Sequence, residues 1–103
     1  MGSTHDYEID VRNENIMIYI NGQFFHRSDA KVSVMDSGYL LGDGVWEGIR
    51  LYNGSLMHID KHLDRLYNGA KAIEMDIQLS KKQMQSAIRA TIEKNAMLSD
   101  VHI

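Results

Sequence analysis

The first strong pattern in the chain is an apolar stretch at residues 16–20, rich in the β-branched and aromatic side chains that are typical of a β-strand. Asn21-Gly22 follows it, and residues 23–27 form a second stretch that contains both phenylalanines of the chain. Asn-Gly tolerates the positive φ angles of a type I′ turn, whose twist matches that of two paired strands. The pattern therefore predicts a β-hairpin.

A second Asn-Gly pair, Asn53-Gly54, separates an apolar stretch at residues 45–52 from a shorter one at residues 55–58. The same argument predicts a second hairpin here. Between the two hairpins, valines alternate with polar residues over residues 31–35, which predicts one more strand. The glycine-rich residues 39–44 are expected to form an irregular loop.

The apolar period changes to three- and four-residue steps over residues 61–75, which predicts an amphipathic helix with Asp60 as its N-cap. Ser80 and Gln83 have the spacing of a capping box and predict a second helix that runs to about Lys94. Residues 101–103 read as the start of a strand, so the pattern predicts a cut chain. The helix positions expected to face the core are Leu63, Leu66, Tyr67, Ala70, Ile73, Met84, Ala87, Ile88, Thr91 and Ile92.

These elements predict an α+β fold in which a small antiparallel sheet of hairpins carries two helices on one face. A chain of 103 residues has room for one domain, which we expect to span residues 16–103. Residues 1–15 are polar and mixed, which predicts a flexible arm or a loosely attached edge segment.

Composition narrows the function classes. The net charge is −3 with both signs interspersed, so no basic stripe is available to neutralise nucleic-acid phosphates. The absence of cysteine excludes disulfides, thiolate metal sites and a cysteine nucleophile, and it fits a cytoplasmic protein. No apolar stretch is long enough to predict a membrane span or a signal peptide.

Arg65 is the first candidate binding residue, because it lies in the second turn of the first predicted helix. A guanidinium near a helix N-terminus can bind a phosphate together with backbone amides. Spacing alone favours a different interpretation, in which Arg65 is an exposed helix residue paired with Asp64 or Glu47.

Other candidates are weaker when judged from the residues alone. Trp46 is expected either to line a pocket or to pack in the core. His58 and His62 have a spacing that can bind a metal, but only Asp60 could complete the set, so we predict no metal site. No serine lies in a convincing histidine and aspartate context, so the sequence predicts no complete catalytic apparatus.

Taken together, several motifs resemble the N-terminal domain of class IV aminotransferases, the fold-type IV pyridoxal-phosphate enzymes. These motifs are Gly-Asp-Gly-Val-Trp-Glu-Gly-Ile-Arg at residues 42–50 and His-Leu-Asp-Arg-Leu at residues 62–66, with the two Asn-Gly turns in the expected order. The resemblance extends over residues 16–103.

The resemblance implies a two-domain enzyme that holds pyridoxal 5'-phosphate between its domains, with this chain as the smaller one. It implies that Arg65 contacts the cofactor phosphate, which reverses the interpretation from spacing alone. It also implies that Trp46 lines the substrate pocket, together with Leu41 and His102, which match tyrosine positions of the branched-chain enzymes.

The implied activity is transfer of an amino group between an amino acid and a 2-oxo acid. Residues 42–44 resemble the D-amino-acid branch of the family, whereas residues 47–50 resemble the branched-chain branch, so both substrate classes stay open. A lyase of the aminodeoxychorismate type and a non-catalytic interaction domain are the alternatives. The family also implies a homodimer.

One feature of the family has no counterpart in the chain. The lysine that bonds covalently to the cofactor belongs to the second domain, and none of the lysines here matches its motif. These lysines are Lys31, Lys61, Lys71, Lys81, Lys82 and Lys94. Because the protein must supply this amine, the chain alone is predicted to be inactive, to have no catalytic residue of its own, and to need the missing C-terminal domain as its partner.

Overall fold

The computed structural model describes residues 10–103 and has the α+β fold that the sequence predicts. Its described residues belong to two compact units, residues 10–30 and 31–103. Most of the predicted N-terminal arm, residues 1–9, lies outside the described residues. The part of the arm that is described forms a short 3-10 helix, Val11–Asn15, with Asp10 as its N-cap.

The first unit contains the first predicted hairpin. Strand β1, Met17–Ile20, pairs with the antiparallel strand β2, Gln23–His26. Asn21 and Gly22 have φ angles of 49° and 86°, as a type I′ turn requires. The rings of Tyr19 and Phe24 face each other across the two strands with centroids 5.4 Å apart, and this edge-to-face contact stabilises the pair.

The second unit begins differently from the prediction. The strand expected over residues 31–35 does not form, and Val32 and Val34 are exposed. The glycine-rich stretch predicted as a loop instead begins with a short helix, α1, Ser37–Leu41. The Asp36 carboxylate caps α1 by accepting a hydrogen bond from the Gly38 amide at 2.7 Å, and Gly42 ends it at φ 73°.

The second hairpin is confirmed but is shorter than predicted. Strand β3, Arg50–Tyr52, pairs with strand β4, Ser55–Leu56, through the turn at Asn53-Gly54. Residues 45–49, predicted as strand, are irregular. The strand expected at the end of the chain forms as β5, Val101–His102, and lies antiparallel to β3 on its other edge.

The first predicted helix is displaced toward the N-terminus. Helix α2 spans Ile59–Ala72, and its N-cap is His58 at φ 55°, so the expected cap at Asp60 was wrong. The left-handed conformation of His58 turns the chain from β4 directly into the helix. Asp60 then lies in the first turn, where a negative charge is favourable toward the helix dipole. Since α2 ends at Ala72, the predicted core residue Ile73 is outside it and 44% exposed.

The second predicted helix is confirmed as α3, Lys81–Asn95, with the Ser80–Gln83 capping box formed in both directions. Helices α2 and α3 are tied together at the surface, where Lys81 Nζ lies 2.7 Å from an Asp64 carboxylate oxygen. The core of this unit consists of Ile49, Leu51 and Leu56, packed against Ile59, Ile88, Ile92, Val101 and Ile103. Both helices therefore cover the sheet of β3, β4 and β5.

Candidate functional site

The candidate site is centred on Glu47, which belongs to the irregular segment between α1 and β3. The segment is fixed at its far end because Ile49 and Ile103 exchange two backbone hydrogen bonds of 2.8 Å each. The Glu47 side chain is 11% exposed and contacts α2. A carboxylate this well covered requires partners, since burying an unpaired charge is costly.

Arg65, on α2, is the main partner of Glu47. Its Nε donates to Glu47 Oε1 at 2.6 Å, and its Nη2 donates to Glu47 Oε2 at 3.1 Å. Two parallel bonds of this kind fix the plane of the guanidinium as well as its position. The pairing of Arg65 with Glu47, expected from spacing alone, is thus present, whereas Asp64 binds Lys81.

His62 is the second group on Glu47. It lies one turn before Arg65 on the same face of α2, and its Nδ1 is 3.4 Å from Glu47 Oε1. Two side chains of one helix therefore approach one carboxylate. The histidine whose spacing could have suited a metal ion thus contacts Glu47 instead.

These contacts change the acid–base properties of the pair. The hydrogen bond from Arg65 lowers the pKa of Glu47, and this effect outweighs the opposing effect of burial. The same hydrogen bond raises the pKa of Arg65. The two groups are therefore held as an ion pair at neutral pH.

Arg65 keeps donors that Glu47 does not use. The side chain is 71% exposed, and only its Nε edge faces the carboxylate. Within residues 10–103, Nη1 and the outward N–H of Nη2 make no hydrogen bond. These N–H groups form a second edge of the guanidinium, which can bind an oxyanion in the bidentate manner typical of arginine.

Gly69 brings α2 close to the segment that carries Glu47. A Cβ atom at Gly69 would lie 3.3 Å from Cγ1 of Val45, which is closer than ordinary van der Waals contact. Glycine thus lets the helix backbone approach Val45, two residues before Glu47. Sequence analysis missed this role, although an isolated glycine inside a helical pattern was the available signal.

The three expected pocket residues lie on other parts of the second unit. Leu41 is the last residue of α1 and is 74% exposed. Trp46 precedes Glu47 and is 84% exposed, so it is not a core residue. His102 is exposed on β5 and is paired with Arg50 of β3.

Arg50 adds a cation beside His102 that sequence analysis did not single out. Its guanidinium lies 5.2 Å from the centre of the Tyr52 ring and 3.9 Å from an Asp100 carboxylate oxygen. Arg50 and Tyr52 are two residues apart on β3, so both are on the face of the sheet opposite the buried Leu51.

Two kinds of site have no support in the part of the chain that the structure describes. Residues 10–103 contain no group of three or more histidine, aspartate or glutamate side chains placed to hold a metal ion. None of the helices in the same range is long and apolar enough to cross a membrane.

Comparison with known proteins identifies the family. Residues 44–101, more than half of the chain, match the family described as amino-transferase class IV. This match includes the Glu47–Arg65 pair and the second hairpin. The chain therefore belongs to the class IV aminotransferases, as the resemblance in its motifs implied.

Individual relatives agree with this assignment. Over 86 residues the chain is 48% identical to a protein of Methanocaldococcus jannaschii named "Putative branched-chain-amino-acid aminotransferase", covering 84% of this chain and 30% of that protein. Over 78 residues it is 38% identical to the D-alanine aminotransferase of Bacillus licheniformis, covering 76% of this chain and 28% of that protein.

A solved structure has the same fold. It is the branched-chain amino acid aminotransferase of T.th., complexed with N-(5'-phosphopyridoxyl)-L-glutamate. The TM-score is 0.75 at 30% sequence identity, covering 82% of this chain and 30% of that chain. The chain thus spans about 30% of the length of these relatives.

Proposed function

We propose that this chain is the cofactor-phosphate-binding part of a pyridoxal-phosphate-dependent aminotransferase. The complete protein would transfer an amino group between an amino acid, either branched-chain or of the D series, and a 2-oxo acid. The observation that carries the proposal is the geometry of Arg65 in a chain that belongs to this family. The named relatives are aminotransferases, which favours transamination over a lyase or a non-catalytic domain.

Arg65 fits the phosphate of the cofactor. The phosphate is a dianion with several acceptor oxygens, and the outward edge of the Arg65 guanidinium offers N–H donors on Nη1 and Nη2. The bound cofactor would supply the electron sink that amino-group transfer requires. Arg65 would contribute binding and orientation, because a guanidinium stays charged and cannot act as a proton donor at neutral pH.

Trp46, Leu41 and His102 are proposed to shape the pocket for the substrate side chain. Trp46 and Leu41 offer large apolar surfaces, which suit branched-chain substrates. His102 is polar and lies beside the cation Arg50, a combination that suits a carboxylate. None of these residues is proposed to carry out proton transfer.

The covalent attachment of the cofactor is proposed to come from the remaining length that the relatives have. None of the lysines in this chain matches the family motif for that role. We therefore propose that the chain is inactive by itself and that the complete protein is a cytoplasmic homodimer. The apolar side chains that the second unit leaves exposed support the need for a covering partner.

Substitution of Arg65 tests the proposal in the complete polypeptide, this chain together with the remaining length of its relatives. Arg65→Ala is expected to weaken retention of pyridoxal 5'-phosphate, because it removes a charge-assisted contact to the phosphate. Cofactor absorbance after dialysis is the measurement. Arg89→Ala removes another exposed arginine, from α3, and should retain the cofactor as the wild type does.

Equal retention by the Arg65→Ala variant and the wild type would remove Arg65 from this role. Equal losses in the Arg65→Ala and Arg89→Ala variants would point to a general effect of net charge instead of a site at residue 65.

A further inference from the structure

We infer that Glu47 is a positioning residue that fixes the orientation in which Arg65 presents its outward edge to the cofactor phosphate. The inference rests on the proposed phosphate-binding role of Arg65. It assigns a task to a carboxylate whose negative charge would otherwise be unexplained beside an anion-binding arginine.

The first argument is the geometry of the pair. Glu47 Oε1 accepts from Arg65 Nε at 2.6 Å and Glu47 Oε2 accepts from Nη2 at 3.1 Å. A single hydrogen bond would leave the guanidinium free to rotate, but two bonds to two oxygens hold it coplanar with the carboxylate. The direction of the Nη1 donors is then set by Glu47.

The second argument is the difference in exposure between the partners. The side chain of Glu47 is 11% exposed, whereas that of Arg65 is 71% exposed. The carboxylate is thus the fixed member of the pair and the arginine is the member that would otherwise move. Long arginine side chains lose much rotamer freedom when they bind a ligand, so prior restraint by Glu47 reduces that loss on phosphate binding.

The third argument is that the two anions do not compete for the same donors. Glu47 occupies the edge made by Nε and one N–H of Nη2, and the opposite edge is unused within residues 10–103. His62 Nδ1, 3.4 Å from Glu47 Oε1, provides a second contact that holds the carboxylate on the α2 side. Phosphate can therefore bind without displacing Glu47.

The experiment uses the complete polypeptide and compares Glu47→Gln with Asp64→Asn. Both changes replace an acid by its amide, and Asp64 is next to Arg65 in sequence but binds Lys81. Glu47→Gln is expected to raise the equilibrium dissociation constant for pyridoxal 5'-phosphate about tenfold, the scale of one charge-assisted hydrogen bond. Asp64→Asn should leave it unchanged. An unchanged constant in Glu47→Gln would overturn the inference.

A double-mutant cycle separates positioning from a general structural role. In the Arg65→Ala background, Glu47→Gln should cause no further loss of cofactor affinity, because the group that it orients is absent. An equal loss in both backgrounds would show that Glu47 acts through the fold and not through Arg65. If Arg65→Ala itself has no effect, the proposed role of Arg65 fails as well.

A measurement without cofactor keeps the two failures apart. In the 103-residue chain labelled with ¹⁵N, the Nε–H signal of Arg65 should exchange with water more slowly than that of the exposed Arg89, and Glu47→Gln should abolish the difference. Equal exchange at Arg65 and Arg89 in the wild type would overturn the positioning role whatever the cofactor experiments give. Slow exchange with unaltered cofactor retention in Arg65→Ala would leave the pair intact but refute phosphate binding.

Discussion

At the scale of single residues, Gly69 explains how the segment carrying Glu47 is held against α2. Glycine inside a helix is destabilising by about 1 kcal/mol relative to alanine. Its presence in the middle of α2 is understandable because a Cβ atom there would lie 3.3 Å from Val45 Cγ1. The cost in helix propensity is thus offset by close packing beside the candidate site.

This explanation predicts the outcome of Gly69→Ala. The substitution should gain less than the ~1 kcal/mol expected from helix propensity, because Val45 or the helix must shift to accommodate the new methyl group. Urea denaturation of the 103-residue chain gives the free energy of unfolding. In the Val45→Ala background the contact is removed, and Gly69→Ala should then approach the full gain. A full gain in the wild-type background would show that packing against Val45 does not require glycine.

At the scale of elements, the two long helices begin in different ways. Helix α2 follows His58, which has a left-handed backbone and makes no side-chain cap hydrogen bond. Helix α3 follows Ser80, whose hydroxyl accepts from the Gln83 amide at 3.1 Å while the Gln83 side chain accepts from the Ser80 amide at 2.8 Å. The start of α3 therefore depends on its cap, whereas the start of α2 depends on the chain reversal after β4.

The cap of α3 leads to a prediction with a matched serine as control. Ser80→Ala should lower the free energy of unfolding by about 1 kcal/mol, because the Gln83 amide loses its acceptor. Ser86→Ala, in the interior of the same helix, should be neutral or slightly stabilising, since its hydroxyl only bonds back to the Lys82 carbonyl. Equal effects of the two changes in urea denaturation would refute the assigned role of the cap.

The elements that sequence patterns predicted correctly are those set by local chemistry. The Asn-Gly turns at residues 21–22 and 53–54 require positive φ angles, and the α3 capping box is a short-range motif. The strand predicted over residues 31–35 failed because alternation of valines does not supply a partner strand. The cap at Asp60 failed because the backbone of His58 ends the preceding turn earlier than composition suggested.

The candidate site was predictable only in part for the same reason. Local spacing allowed Arg65 to pair with Asp64 or Glu47 but could not choose between them. The choice depends on where the irregular segment before β3 meets α2, which is a long-range property of the fold. The contact of His62 with Glu47 and the approach of Gly69 to Val45 depend on the same tertiary arrangement.

At the scale of the whole molecule, the second unit leaves many large apolar side chains in contact with solvent. They are concentrated between residues 32 and 46 and are Val32, Val34, Met35, Tyr39, Leu40, Leu41 and Trp46, with exposures from 54% to 84%. Single exposed apolar residues are common, but a concentration of this kind is typical of a surface that another part of the protein covers. The chain spans about 30% of the length of its relatives, which supplies a candidate for that cover.

This surface predicts that the 103-residue chain self-associates in solution, whereas the complete polypeptide forms a defined dimer. Replacing Val34 and Met35 together with lysine should shift the isolated chain toward monomer, because it lowers the apolar area available for contact and adds charge repulsion. Sedimentation velocity over a range of concentrations is the measurement. Val11→Lys changes a residue that is equally exposed, at 73%, but lies in the first unit, and it should leave association unchanged. A monodisperse monomer at high concentration of the unaltered chain would show that residues 32–46 need no cover, and the dimer would then have to be sought through the remaining length of the protein.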